Sequence, residues 1–289
     1  MSMTKKIALV LSGGGARGLA HIGVIEELLK RDYEITSIAG TSMGALVGGV
    51  YAQGKLTEFR DWMTTLDQFE VFKLVDFTFS AAGLVKGERV LNTIQEFIPD
   101  TRIEDLPIPY SATAVDIIKH REVVFRSGML YDAIRASIAI PTVLTPVKKD
   151  GMVLVDGGVM NNVPISNVKR TDGDLLAVVH VSANVPVLKP ALSKKEIKEK
   201  ESAHKRWLTS FTDFLGNSKE KEHSLGFLSL IDNTLTTGML RLAQLSIASG
   251  NPDILVEISR DTCGTYDFYK AAEIIETGRL AARQVLDRI

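Results

Sequence analysis

Gly40-Thr41-Ser42-Met43-Gly44 sets a serine between glycines at Gly-x-Ser-x-Gly spacing, with apolar runs before it at 35–39 and after it at 45–52. A strand that turns into a helix over so few residues forms a nucleophile elbow. Its central serine is held in a strained conformation, and the flanking glycines, lacking Cβ, let the two elements approach closely. Ser42 would then stand at a helix N-terminus. Unpaired N–H groups and the positive end of the helix dipole favour the negative charge that develops there when a hydroxyl attacks an acyl carbon. Three fixed positions also recur by chance, so the strand before and the helix after give the pattern its meaning.

A second glycine cluster, Gly13-Gly14-Gly15-Ala16-Arg17-Gly18, follows the apolar run Ile7-Ala8-Leu9-Val10-Leu11. Leu19, Ile22, Val24, Ile25, Leu28 and Leu29 then recur at helical spacing. Such a loop has two uses. Consecutive glycines expose N–H groups that can approach a tetrahedral intermediate without Cβ obstruction, which makes an oxyanion hole. The same residues also satisfy Gly-x-Gly-x-x-Gly in a first βαβ unit, the fingerprint of a dinucleotide-binding enzyme. That use calls for an acidic residue near the end of the second strand. Here the second strand runs into Gly40-Thr41-Ser42, and Asp32 and Glu34 lie before it.

A serine nucleophile needs a base. The five histidines are poorly placed for it: His21 lies one turn into the first helix, His180 inside Val178-Val179-His180-Val181, His120 before an edge-like strand, and His204 and His223 in charged helical segments. Asp156 is the stronger candidate. It follows the strand pattern Met152-Val153-Leu154-Val155 and precedes Gly157-Gly158, so it would stand at the carboxyl end of a strand, on the same rim of a parallel sheet as Ser42. The same residue also reads as a turn aspartate capping Gly157-Gly158.

The elements that must position these residues alternate β-α-β-α over the first fifty positions, the order of a parallel sheet covered by helices. Further helices are expected at 56–66, 89–97, 225–248 and 268–286, and further strands at 110–116, 122–125, 152–155, 175–181 and 254–258. The aromatic-rich stretch 67–86, with Phe69, Phe72, Phe77 and Phe79, has neither period and reads as a packed excursion near the site or as core filling. No Pro/Gly/Ser-rich linker divides the 289 residues, so one domain is expected over 1–289, with a helical excursion at about 190–250.

Composition excludes several classes. A net charge of −1, from 34 basic and 35 acidic residues, gives no field for nucleic acid. Cys263 is the only cysteine, so neither an intrachain disulfide nor a thiolate metal cluster is possible. No apolar run reaches the length of about 18 residues that spans a bilayer, and the first residues carry no cleavage signature, so a cytoplasmic location is expected.

Four motifs together resemble the patatin-like phospholipases, in particular their short bacterial members: Gly13-Gly14-Gly15-Ala16-Arg17-Gly18, Gly40-Thr41-Ser42-Met43-Gly44, Ala136-Ser137-Ile138-Ala139-Ile140-Pro141, and Asp156-Gly157-Gly158 with Asn161-Asn162-Val163-Pro164 after it. Their order and spacing agree over residues 5 to 183. Many members have Asp-Gly-Ala where this chain has Asp-Gly-Gly. The resemblance implies a three-layer α/β/α sandwich with a mostly parallel central sheet and a Ser42/Asp156 dyad, in which Asp156 takes the serine proton directly. It also implies an oxyanion hole from Gly13, Gly14 and Gly15 assisted by Arg17, and acyl-ester hydrolysis on lipids of the phospholipase A or lysophospholipase type, without metal or cofactor. The last hundred residues match no quoted motif. Two other readings stay open, a catalytically idle lipid-binding or regulatory module and the dinucleotide-dependent enzyme.

Lys194, Lys195, Lys198, Lys200, Lys205 and Arg206 precede an apolar face of Trp207, Phe211, Phe214 and Leu215, an arrangement suited to peripheral contact with an anionic membrane. Packing onto the 225–248 helix is the other use of that face. Because no paired His, Cys or Glu ligand spacing accompanies the proposed site, ester hydrolysis is expected to survive a strong chelator. Loss of turnover in EDTA that calcium or zinc restores would overturn this.

Overall fold

A computed structural model describes residues 5–74, 87–190 and 227–289. Phe77, Phe79, His204, His223, Trp207, Phe211 and the basic run from Lys194 to Arg206 lie outside the described residues. Among the described residues the strands form one mixed sheet, ordered β5-β6-β3-β2-β1-β7-β8, with β4 also on β3. The strands are β1 Lys5–Leu11, β2 Tyr33–Thr41, β3 Tyr110–Asp116, β4 Arg121–Phe125, β5 Val147–Lys149, β6 Met152–Asp156, β7 Leu175–Ala183 and β8 Ile254–Ser259. The run β8-β7-β1-β2-β3 is parallel, while β4 and β6 pair antiparallel with β3.

The central strands read as unbroken apolar runs because both their faces are covered. Alternate side chains of β1 and β7 divide between two layers. Ile7, Leu9, Leu11, Ala177, Val179 and Val181 enter the larger core, while Val10, Leu176 and Val178 enter a smaller one on the other face. The larger core is closed by α1 Ala20–Lys30, α2 Met43–Ala52, α3 Leu56–Thr65, α5 Glu88–Gln95, α6 Leu130–Ser137 and α9 Ala271–Leu286. The smaller one is closed by α8 Phe227–Gly250, which also packs on the short α7 Gly158–Asn161. The result is the expected three-layer sandwich.

Differences from the sequence expectation have local causes. The helix α8 belongs to the second layer through Ala243, while residues 191–226 of the helical excursion expected at about 190–250 lie outside the described residues. Phe69 and Phe72 lie on α4 Gln68–Leu74 and are 63% and 56% exposed, so neither fills the core. The eight residues of α6 and the three of β5 are shorter than the window over which periodicity accumulates. Among the described residues no helix is long and apolar enough to cross a membrane.

The helices α1 and α9 cross at two glycines. A Cβ on Gly23 would lie 1.9 Å from the Ile275 carbonyl oxygen, and one on Gly278 would lie 2.0 Å from that of Ala20. Alanine raises helix propensity by about 1 kcal/mol over glycine, but here it collides with backbone, which cannot yield as a side chain does. Gly23→Ala and Gly278→Ala are each expected to destabilise the fold by roughly 3 kcal/mol net in urea unfolding followed by circular dichroism. A stabilised variant would show that the helices separate freely.

Candidate active site

The elbow forms with a single residue between strand and helix, since β2 ends at Thr41 and α2 begins at Met43. Ser42 takes φ 54 and ψ −123, a conformation that costs a non-glycine residue on the order of 1–3 kcal/mol. The glycines on either side let it form. A Cβ on Gly40 would sit 2.4 Å from the Gly44 oxygen, and one on Gly44 would sit 2.2 Å from the Leu11 oxygen. The Ser42 carbonyl accepts from the N–H groups of Ala45 and Leu46, opening α2, while its own N–H donates to Ser137 Oγ at 2.8 Å.

Asp156 is the last residue of β6, and the way it reaches Ser42 differs from the sequence expectation. Ala112 and Thr113 of β3 pair with β2 on one edge and β4 on the other, whereas Ala114, Val115 and Asp116 pair with β4 and β6. Hence β2 and β6 share one edge of β3 and run toward each other. Thr41 lies opposite Thr113 and Asp156 opposite the next residue, Ala114. The two carboxyl ends therefore meet head to head, instead of standing side by side on the rim of a parallel sheet. An antiparallel strand places its C-terminus where the parallel strand stops.

The Asp156 carboxylate is 4% exposed. Its Oδ1 accepts the Gly158 N–H at 2.8 Å, the contact of a turn aspartate capping Gly157-Gly158. Burial pushes its carboxyl up to about 6, against the pull of the Ser42 hydroxyl and the Gly158 N–H, both of which stabilise the charged form. Its own N–H donates to the Ala139 carbonyl at 2.9 Å.

The glycine loop lies against the serine, for a Cβ on Gly13 would be 3.2 Å from Ser42 Cβ and 2.5 Å from Asn162 Oδ1. The Gly13 N–H is committed to the Asn162 carbonyl at 3.1 Å, whereas no acceptor for the N–H of Gly14 or Gly15 occurs among the described residues. Gly15 has φ 57, and the next N–H, of Ala16, is anchored on the Thr265 carbonyl. The Arg17 guanidinium is directed to Ser182 Oγ at 3.4 Å and the Cys263 carbonyl at 3.2 Å. It thus ties the loop to the end of β7 and to the turn after β8.

The described histidines stand apart. His21 Nε2–H donates to the Ser12 carbonyl at 2.8 Å. His180 is buried with no partner for either ring nitrogen among the described residues. Burial holds both near pKa 4, so they are neutral at physiological pH. His120 sits at positive φ in an exposed turn. None of the three is bonded to Ser42 or Asp156.

Sequence reasoning assigned no role to three residues that surround the pair. Ser137, fully buried, touches the elbow N–H. Asn162 holds Gly13 through its carbonyl, and its buried Oδ1 has no partner among the described residues. Met239 of α8 lies over Gly158, 2.5 Å from where a Cβ would be. Ser137 and Asn162 stand inside quoted motifs, but a side chain that bonds a distant backbone leaves no periodic trace. Met239 lies on a long helix with no motif at all.

The family model described as patatin-like phospholipase matches residues 9–169, more than half of the chain. An uncharacterized NTE family protein of Mycobacterium tuberculosis is 33% identical over 99% of this chain and 92% of its own length. A lysophospholipase of Candida glabrata is 31% identical over 61% of this chain, which corresponds to 10% of that protein. The matched residues contain the glycine loop, the elbow, the 136–141 segment and the strand end at Asp156. The chain belongs to the patatin-like phospholipase family.

Proposed function

We propose that the chain hydrolyses acyl esters of lipids, as a phospholipase A or lysophospholipase, with Ser42 as nucleophile and Asp156 as its base. The observation that carries this is the meeting of two strand ends on one edge of β3, which brings the buried Asp156 carboxylate to the Ser42 elbow beside the glycine loop, where the serine hydroxyl stabilises its charged form. As Ser42 Oγ attacks the ester carbon, its proton passes to Asp156 and the carbonyl oxygen becomes an oxyanion. The free N–H groups of Gly14 and Gly15 support that charge, together with that of Met43, the residue after the nucleophile. Gly13 and Arg17 serve by holding the loop, through Asn162, Ser182 and Cys263. The protonated Asp156 then delivers its proton to the leaving alcohol, which departs and leaves an acyl-serine. Asp156 next takes a proton from water as the hydroxyl attacks the acyl-serine, and returns it to Ser42 Oγ as the acyl–oxygen bond breaks and the fatty acid leaves. Relatives named as lysophospholipases support the lipid substrate.

A carboxylate of ordinary basicity is a weak partner for a serine, and burial brings this one closer to neutral pH. Activity should therefore fall as pH drops through about 6, where Asp156 takes up a proton. Ser42→Ala, Asp156→Asn and the double variant should settle at one residual rate, because each disables the same step. The check is kcat/KM on a short-chain nitrophenyl ester, with labelling of Ser42 by a fluorophosphonate. Near-wild-type turnover in Asp156→Asn would remove the base. Absence of labelling in the folded wild type would favour a catalytically idle lipid-binding module.

The same burial has a stability consequence of opposite sign. The folded-state pKa of about 6 lies above the unfolded value, so the native state binds the proton more tightly. The destabilising effect is absent below about pH 4, grows as pH rises, and is complete above about pH 6. Raising the carboxyl from its ordinary value to about 6 corresponds to roughly 3 kcal/mol. Asp156→Asn should thus be more stable than wild type at pH 8, by up to roughly that amount, and gain little at pH 4. Urea unfolding at the two pH values measures it, and no gain at pH 8 would show that the carboxylate is not held at a cost.

A further inference from the structure

The Ala136–Pro141 motif, the one quoted motif that supplies neither nucleophile, base nor oxyanion donor, has its own work in the structure. Ser137 closes α6, fully buried. A serine in a last helical turn commonly bonds its hydroxyl back to the carbonyl four residues earlier. Here the hydroxyl leaves its own helix. It donates to the Thr113 carbonyl of β3 at 2.6 Å and accepts the Ser42 N–H at 2.8 Å. Two residues on, the Ala139 carbonyl accepts the Asp156 N–H at 2.9 Å. A three-residue segment therefore grips the main chain of both reacting residues.

The elbow needs such a partner. The ladder between β2 and β3 ends at Thr41, so the Ser42 N–H lies beyond the last paired position. A buried N–H left unpaired is a destabilising defect, and at a strained residue it would let the backbone relax. Without Ser137 the elbow could rotate about Ser42, and such a rotation moves Oγ away from Asp156 and the Met43 N–H away from an oxyanion. The Ala139 bond fixes the other end, because Asp156 is the last residue of its strand. Thr113, which anchors the Ser137 hydroxyl, is the β3 residue opposite Thr41 and one short of the partner of Asp156.

We propose that Ser137 is a positioning residue of the reaction. With the Ala139 carbonyl it sets the distance and angle between the Ser42 hydroxyl and the Asp156 carboxylate. This rests on the reading of Ser42 and Asp156 as nucleophile and base.

The test compares Ser137→Ala and Ser137→Cys with wild type, and Ser137→Ala with Asp156→Asn singly and combined. In each, kcat and KM on a nitrophenyl ester are measured per folded molecule, with the rate of fluorophosphonate labelling and a thermal melt. Ser137→Ala is expected to lower kcat and the labelling rate about 10- to 100-fold, with KM within about twofold of wild type. In the Asp156→Asn background the same substitution should cost less than about threefold, since the alignment it protects is already without use. Ser137→Cys keeps a weak donor and acceptor in nearly the same volume and should fall between wild type and alanine. It also supplies the measurement if the alanine variant does not fold. A folded Ser137 variant, alanine or cysteine, with wild-type kcat and labelling rate but a lowered melting temperature would make the contact merely structural and overturn the proposal. A loss confined to KM would do the same. Failure of the underlying reading looks different, as an Asp156→Asn variant that is still labelled at the wild-type rate, and that result overturns both.

Discussion

Two strands stop against each other on one edge of β3, and the rest of the site follows from that meeting. Parallel β2 pairs as far as Thr113, and antiparallel β6 fills the same edge from Ala114 onward. Each strand end leaves a main-chain group without its next ladder partner, and each end carries one of the two side chains proposed to react. Hydrogen-bonding supply and chemistry are thus tied together. The groups that complete the interrupted ladder, Ser137 Oγ and the Ala139 carbonyl, are also those that hold Ser42 and Asp156.

Placing a carboxylate in that junction raises its affinity for a proton, and the Ser42 hydroxyl and the Gly158 N–H partly offset the loss of water. A carboxylate supported by several N–H groups would be stable and inert, while one with none would stay protonated. The site lies between these limits, which suits the base proposed here, one that accepts a serine proton and then returns it. The backbone of Ser42 carries strain of the same kind, held by close contacts at Gly40 and Gly44 that a larger residue would not permit. Both are local costs sustained by the surrounding core, as at other sites where reactivity opposes stability.

The glycine loop shows how a donor-rich segment is kept in place without using up its donors. Its first N–H goes to Asn162, the Ala16 N–H after it to Thr265, and the Arg17 side chain to Ser182 and Cys263. Anchors on both flanks leave the N–H groups of Gly14 and Gly15 without an acceptor among the described residues. The residues that anchor the loop come from the α7 end, from β7 and from the segment after β8, so the last part of the chain supports a site whose proposed reacting residues all precede it.

The sequence by itself determined the longer elements, but not the short α4, α6, α7 and β5. Periodicity is a local property, and the long runs at β1, β2, α1, α2 and α9 carry it clearly. It also determined which residue types at which strand ends could act, since a serine between glycines and an aspartate before Gly-Gly are local signals, and none of the described histidines competes with them. Tertiary structure alone decided how they meet. Whether β6 runs with or against β3 depends on pairing between segments some forty residues apart, and the chain's local pattern is the same for either direction. It alone decided that the Gly13 N–H faces Asn162, that Arg17 turns to the far side of the loop, and that the hydroxyl of Ser137 leaves its helix for the elbow. Each of these is one hydrogen bond between residues distant in sequence, set by the packing of whole elements, and such a bond leaves no mark on the spacing of the residues that make it.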